Sequence, residues 1–477
     1  MMSYIRGADR SEVLLFLEAL DDYMADDNPV RFIDAFVVSL DLVELGFARA
    51  TPAATGRPAY DPADLLKLYI YGYLNRVRSS RMLEREAGRN VEVMWLLSKL
   101  TPDFKTIADF RKDNLAAIKA VCREFTLLCK KLELFGGELI AIDGSKFRAV
   151  NNRKRNFNPT KLARLIQSID ERIALYLARM GQQDEAELAV AKIHVEELRA
   201  KINQLKERKQ FHQTLVDELK QSGRQEISLT DADSRLMSVG QGVDVCYNVQ
   251  TAVDDKHKLI VHHEVTNAHT DQGNLVPMAT TARQVLGAET LEVVADKGYY
   301  SGEEIKKCED RGIVTYIPKV DVSSKLKKEL FTKEEFRYDA VTDTYMCPAG
   351  EHLTHRCTTT ERKKVKMRYY GTAACKRCHL RSRCTKRKRG RLIKRLVDEA
   401  VLERMAERLK EHPEKMKLRK QLVEHPFGTI KRGMNQGYFL LKGIKKVAAE
   451  MSLTVMAYNI KRVLNILGVQ EMIKTVA

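Results

Sequence analysis

Two short apolar runs that each close on an aspartate constrain this chain more than any other feature. The first is Leu139, Ile140, Ala141 and Ile142, leading into Asp143, Gly144 and Ser145; the second is Leu291, Val293, Val294 and Ala295, leading into Asp296, Lys297 and Gly298. Runs of this length, bounded by turn-forming residues, read as buried strands, each with a carboxylate at its C-terminal end. In open α/β sheets ligands bind in the crevice beyond those ends, and an acid on a rigid strand is held better than one on a free loop. A single acid after a strand often caps the next turn. Two acids with the same grammar point instead to a shared metal.

At 477 residues the chain exceeds one simple core, so two to four domains, or one core with large insertions, are expected. Its 82 Lys and Arg give a net charge of +18 and are spread along the chain, the electrostatic footprint of a nucleic-acid partner. No apolar run approaches membrane-spanning length and the first residues lack a secretory signal, so a cytoplasmic protein without a membrane partner is expected. Nine cysteines suit reduced thiols or metal ligands better than a disulfide framework.

Residues 1–135 read as a helical DNA-binding and dimerisation domain, with SEVLLFLEALDDYM, VRFIDAFVVSLDLVELGF and PADLLKLYIYGYLN at helical spacing and Asp61 capping a helix that starts at Pro62. Arg76, Arg78, Arg81 and Arg85 fall among short helices that suit either a helix-turn-helix-like DNA reader or the solvated basic face of a bundle, and Trp95 reads as core. Residues 159–224 carry a heptad seam from Leu162, Ile166, Ile169 and Ile173 through Leu188, Leu198, Ile202 and Leu205, which predicts an antiparallel helical hairpin. DVCYNVQTAVDD and KLIVHHEVTNA predict a β-hairpin; a helix, the Asp296 strand, a helix and the strand IVTYIPK follow. With the helical arm set aside, that is the element order of a ribonuclease H-like α/β core, assigned to residues 136–158, 225–330 and 392–477, and the apolar helix VAAEMSLTVMAYNIKRVLNIL is expected to pack on its sheet. Residues 331–391 form a second, Cys-rich basic insertion. There Cys347, Cys375, Cys378 and Cys384 suit a tetrahedral zinc, with unliganded reduced thiols as the alternative.

Glu424 adds a third acid, on a helix that Pro426 is expected to kink or end. Asp143, Asp296 and Glu424 would make a ligand triad for two magnesium ions roughly 3.5–4 Å apart, with manganese able to substitute. Basic neighbours stand ready for a phosphodiester backbone: Lys146, Arg148, Arg153, Lys154 and Arg155 after the first acid, Lys297 after the second, and Arg419, Lys420 and Lys431 around the third.

The stretches YDPADLLKLYIYGYLNRVRSSRMLEREAGRNVEVMWLL, FKTIADFRKDN, IAIDGSKF, VVADKGYYS and VEHPFGTIKR carry a resemblance across nearly the full length. The chain resembles the DDE transposases of bacterial insertion sequences that have an InsH-type N-terminal domain. The resemblance implies that Asp143, Asp296 and Glu424 are the metal ligands, that the protein binds terminal inverted repeats as a nucleoid-associated homodimer on double-stranded DNA, and that it cuts and joins strands. Many relatives surround the third acid with Tyr, Arg and Lys; here Lys431 keeps its place, Lys417 stands where the tyrosine would be, and Arg419 is one residue out of register. Two other readings remain open at this point, a DNA-binding repressor without catalysis and a structure-specific nuclease on the same fold.

Overall fold

A computed structural model describes residues 19–52, 58–183, 189–240, 242–319, 330–361 and 365–476. Residues 11–18 of the first expected helix and Leu188 of the heptad seam lie outside the described residues. The chain divides into two compact units, Met1–Cys129 with Thr429–Ala477, and Lys130–Gly428.

The first unit is helical: α1 (Pro29–Val38), α2 (Pro62–Leu74), α3 (Ser80–Ala87), α4 (Val91–Leu96), α5 (Phe104–Asp113) and most of α6 (Leu115–Lys131). Asn28 and Asp61 accept the first free amides of α1 and α2, each ahead of a proline that cannot donate. Ten residues of α2 are buried, on all of its faces, and the helix Ile444–Leu467, equally apolar all round, packs against it. That helix was expected on the sheet. A sequence apolar on every face announces burial without naming what buries it.

The second unit is built on a six-stranded mixed sheet. Its strands are β1 (Leu139–Arg148), β2 (Arg235–Val239), β3 (Gly242–Asp254), β4 (Ile260–Thr266), β5 (Leu291–Ala295) and β6 (Ile313–Tyr316). The order β3–β1–β5–β6 is antiparallel at its first pairing and parallel at the next two, while β2 and β4 both pair antiparallel with the other edge of β3. The expected hairpin is therefore β3 and β4. The long helices α7 (Pro159–Gln183) and α8 (Ala189–Ser222) form the expected antiparallel pair, closed at its base by Phe157, Leu162, Leu215, Leu219 and Ile227 and tied further out by Lys209 to Asp170 at 2.6 Å. After β4 come α9 (Leu275–Leu286) and, beyond β5, α10 (Gly302–Glu309).

The Cys-rich segment folds as a five-stranded antiparallel sheet of β7 (Arg337–Asp339), β8 (Thr344–Met346), β9 (His352–Glu361), β10 (Val365–Gly371) and β11 (Ile393–Leu396). Phe336, Tyr345, Leu353, Tyr370 and Ile393 form its core, with Cys347 and Cys384 packed against them. Helix α11 (Glu399–Glu411) leads to α12 (Glu414–Gly428). Pro426 does not end α12; the helix runs through it and passes into a π-helical turn at Thr429–Gly433.

Candidate active site

Strand β1 does not turn at Gly144 and Ser145. It continues to Arg148 because the residues after Asp143 stay paired with β3, from Asp143↔Thr251 to Arg148↔Cys246. What ends at Ile142↔Ala295 is the parallel ladder between β1 and β5. Asp143 and Asp296 are the next residue on each side, so the two acids stand side by side where the two strands part company. Asp296 also caps the turn Lys297–Tyr299, accepting the Gly298 amide at 2.8 Å, so capping and site geometry coincide in one side chain.

Alternation along β1 places Asp143 on the face of Leu139 and Ala141, which packs with Val294 against Leu422 and Val423 of α12. That helix brings the Arg419 guanidinium to 3.7 Å from Asp143. Burial pushes the Asp143 carboxyl up from 3.8 to about 6; Arg419 opposes the rise, while Asp296 and Asp271 add to it. The rise is thus led by burial, with the two neighbouring acids adding to it.

Glu424 is on the same helix, yet its carboxylate is 66% exposed and its named partner is Lys420, at 3.9 Å. Among the described residues no group of three His, Cys, Asp or Glu side chains already stands arranged to hold a metal ion. The structure therefore brings the two aspartates together and leaves Glu424 on the solvent side of the helix that covers them.

The cations divide by burial. Arg76, Arg81 and Arg85 are exposed, Arg81 lying over the Phe104 ring at 5.2 Å. Arg78 is only 5% exposed; it donates to the Tyr438 carbonyl at 2.9 Å, stacks over that tyrosine ring and stands 3.7 Å from the buried Glu450. Its guanidinium is a structural cross-link, a correction to its expected role on DNA. Trp95 is half-buried and not in the core, its indole donating to Asp21 at 2.8 Å beneath Arg31. Arg153, Lys154 and Arg155 are exposed on a one-turn helix, Lys297 is exposed beside Asp296, and Arg148 pairs with Asp244 at 3.1 Å while staying largely in solvent. Lys146 is 3.5 Å from Asp271 and mostly buried, so it neutralises an acid of the loop before α9. Lys431 belongs to the first unit, within the π-helical turn.

Asp271 is the site residue that sequence reasoning missed. Its Oδ1 accepts from Asn248 Nδ2 and Gln250 Nε2, both at 2.8 Å. Gln250 also accepts from the Tyr299 hydroxyl, whose proton burial holds well above its usual range, reinforced by Asp271, Asp143 and Asp296. The only signal in the sequence was an acid in NAHTD, between a strand and a helix.

Cys347, Cys375, Cys378 and Cys384 line one small cavity of about 20 Å³, walled by Phe331 and Phe336. Burial pushes the Cys384 thiol up, Arg391 pulls it down, and the other three thiols raise it, which places all four within electrostatic reach.

Residues 346–464 match the family described as the transposase DDE domain, and residues 18–113 match a second transposase domain, a family of otherwise undescribed role. Two separate stretches of the sequence thus match transposase families. Together the matches support a DDE transposase of the insertion-sequence type. The DDE match takes in Glu424 and the four cysteines but begins after Asp143 and Asp296. A similar solved structure is a piggyBac transposase synaptic complex with hairpin DNA, 8% identical, covering 94% of this chain and 78% of that one with a TM-score of 0.34, a likeness too slight to carry a statement about this chain. No curated protein matches the chain.

Proposed function

We propose that this chain binds the terminal inverted repeats of an insertion sequence and cuts and joins DNA strands at a pair of divalent cations held by Asp143, Asp296 and Glu424. The observation that carries the reading is the side-by-side placement of Asp143 and Asp296 at the end of the parallel ladder, with a helix bearing Glu424 packed across the same face. The strand order supports a ribonuclease H-like core in which α7 with α8, and the five-stranded Cys-rich sheet, are insertions.

The donors fit hard cations. All three are carboxylates, two of them side by side at the end of one ladder, and such hard oxygen donors suit magnesium or manganese. Two such ions supply activation of the attacking oxygen and charge neutralisation at the leaving oxygen. The chain's own residues do the rest. Strands β1 and β5, each paired on both sides, hold the aspartates just past the end of their shared ladder, and α12 carries Glu424 on its exposed side, where it faces solvent and any incoming duplex. Arg419 holds the Asp143 carboxylate in the absence of a cation. Exposed Lys297, Arg153, Lys154 and Arg155 offer donors to phosphate oxygens, and Arg76, Arg81 and Arg85 offer a basic edge on the helical unit. The four clustered thiols are the residues that would hold a structural zinc. Homodimerisation follows from the need to hold two element ends at once.

The test is an oligonucleotide carrying the element's own terminal repeat, incubated with the protein and magnesium. Strand cleavage followed by joining to a second duplex is expected. Hydrolysis without joining would make the protein a nuclease, tight binding without cleavage a repressor, and full activity of Asp143→Ala would remove that acid from the reaction.

A further inference from the structure

Between Glu361 and Asp398 the chain carries no acid, and Lys or Arg stands at almost every second position. The fold sorts these cations into two sets. One set points inward and holds backbone. Arg381 donates to the carbonyls of Lys376 at 3.4 Å and Lys388 at 2.9 Å, so a single guanidinium ties the stretch after Cys375 to the stretch before Gly390. Arg391, 9% exposed, donates to the carbonyls of Cys384 at 3.1 Å and Phe331 at 3.0 Å. Gly390 closes the arrangement: its φ is +93°, and a Cβ there would stand 2.7 Å from Cys375 Cβ, so the second stretch lies directly on that cysteine.

The other set points outward. Lys376 and Arg377 on the first stretch, and Lys386, Arg387, Lys388 and Arg389 on the second, are all exposed. Among the described residues none of these six side chains has an ion pair or donates a hydrogen bond. The acids that pair across this sheet, Glu361, Glu399 and Glu403, do so with Lys394, Lys333 and Arg395. Like charges fixed on adjoining backbone repel one another, and a polyanion removes that penalty. Two tied stretches of exposed cations suit a row of phosphates better than one small anion, and duplex DNA presents a charge about every 1.7 Å of its axis. The helical pieces here, Ala373–Lys376 and Arg381–Cys384, are about one turn each, too short to lie along a groove, which leaves the backbone as the part of the duplex they reach.

We propose that Lys376, Arg377 and the run Lys386–Arg389 form a docking surface for the sugar-phosphate backbone of duplex DNA, a grip that does not read sequence and is distinct from the Arg76, Arg81 and Arg85 edge of the helical unit. This rests on the reading of DNA as the partner, and the test separates the two. In EDTA, full-length protein is titrated over a range of salt against the element's terminal repeat and against an unrelated duplex of the same length. The variant Lys386→Gln, Arg387→Gln, Lys388→Gln, Arg389→Gln is expected to bind both duplexes more weakly by the same factor, the slope of log affinity against log salt shrinking by about 3 to 4, at about 0.9 per lost phosphate contact. Lys376→Gln with Arg377→Gln, on the other stretch, should shrink it by about 2. Exchanging the cations instead, as Lys386→Arg, Arg387→Lys, Lys388→Arg and Arg389→Lys, keeps the charge and should leave binding as in the wild type. Unchanged affinity and slope in both Gln variants, a loss confined to the terminal repeat, or an equal loss on exchanging the cations overturns this inference alone. A wild-type chain that binds neither duplex overturns the parent reading as well.

Discussion

The buried carboxyl of Asp143 gives the sharpest test of the electrostatics. In the unfolded chain this group titrates near 3.8, and in the metal-free fold burial, with Asp296 and Asp271 nearby, lifts it to about 6 despite Arg419. Below 3.8 both states are protonated and the group is neutral in its effect. Between 3.8 and about 6 the fold keeps the proton while the unfolded chain releases it, so stability falls as pH rises; above about 6 the loss is complete. At about 1.4 kcal/mol per pH unit, that interval amounts to about 3 kcal/mol. The side chain is 24% exposed, so solvent screens little of it. Asp143→Asn, a neutral isostere, escapes the penalty. In EDTA, urea unfolding should find the variant more stable than wild type by about 3 kcal/mol at pH 8, with the gap shrinking to about half of that near pH 5. Magnesium should nearly close the gap, since an ion at a hundred times its dissociation constant adds about 2.7 kcal/mol to the wild type only. A variant that is no more stable at pH 8, or a gap independent of pH, would refute the reasoning.

Other perturbations separate structural from functional charge. Arg78→Ala removes one cation beside the buried Glu450, which keeps Arg111 and the Leu440 and Leu441 amides, and should cost about 1–3 kcal/mol by chemical denaturation. Arg81→Ala with Arg85→Ala, both exposed, should leave stability within about 0.5 kcal/mol per site while weakening DNA binding and flattening its salt dependence in a filter-binding titration. Glu424→Gln breaks only an exposed pair with Lys420, worth about 0–1 kcal/mol, so melting should be unchanged while strand cleavage is lost. Purified protein should carry one zinc per chain by elemental analysis, and Cys378→Ser should release it, given that the four thiols share one cavity.

The parts legible in the sequence are those written in consecutive residues. The apolar runs before Asp143 and Asp296 encode buried strands directly, and the heptad spacing of α7 and α8 encodes a hairpin. What escaped depends on partners distant in the chain. Arg78 and Arg81 look alike in sequence; one is buried because Glu450, on a much later helix, lies beside it. Strand β1 outruns Asp143 because β3 continues to pair with it, although Gly144 and Ser145 favour a turn. Gly144 is needed for a different reason: it admits Asp271, and no local pattern announces that a loop acid will cross to a sheet. The five-stranded Cys-rich sheet was hidden because three of its strands are only three or four residues long and its aromatic core is spread over widely separated residues.

The most direct test is a structure of the protein on its cleavable terminal repeat with Mn²⁺, the ions located by their anomalous scattering. Two ions roughly 3.5–4 Å apart, with Asp143, Asp296 and Glu424 all within ligand distance, are expected. Glu424 still paired with Lys420 and facing away from the aspartates in that complex, or Mn²⁺ bound elsewhere, would contradict the account.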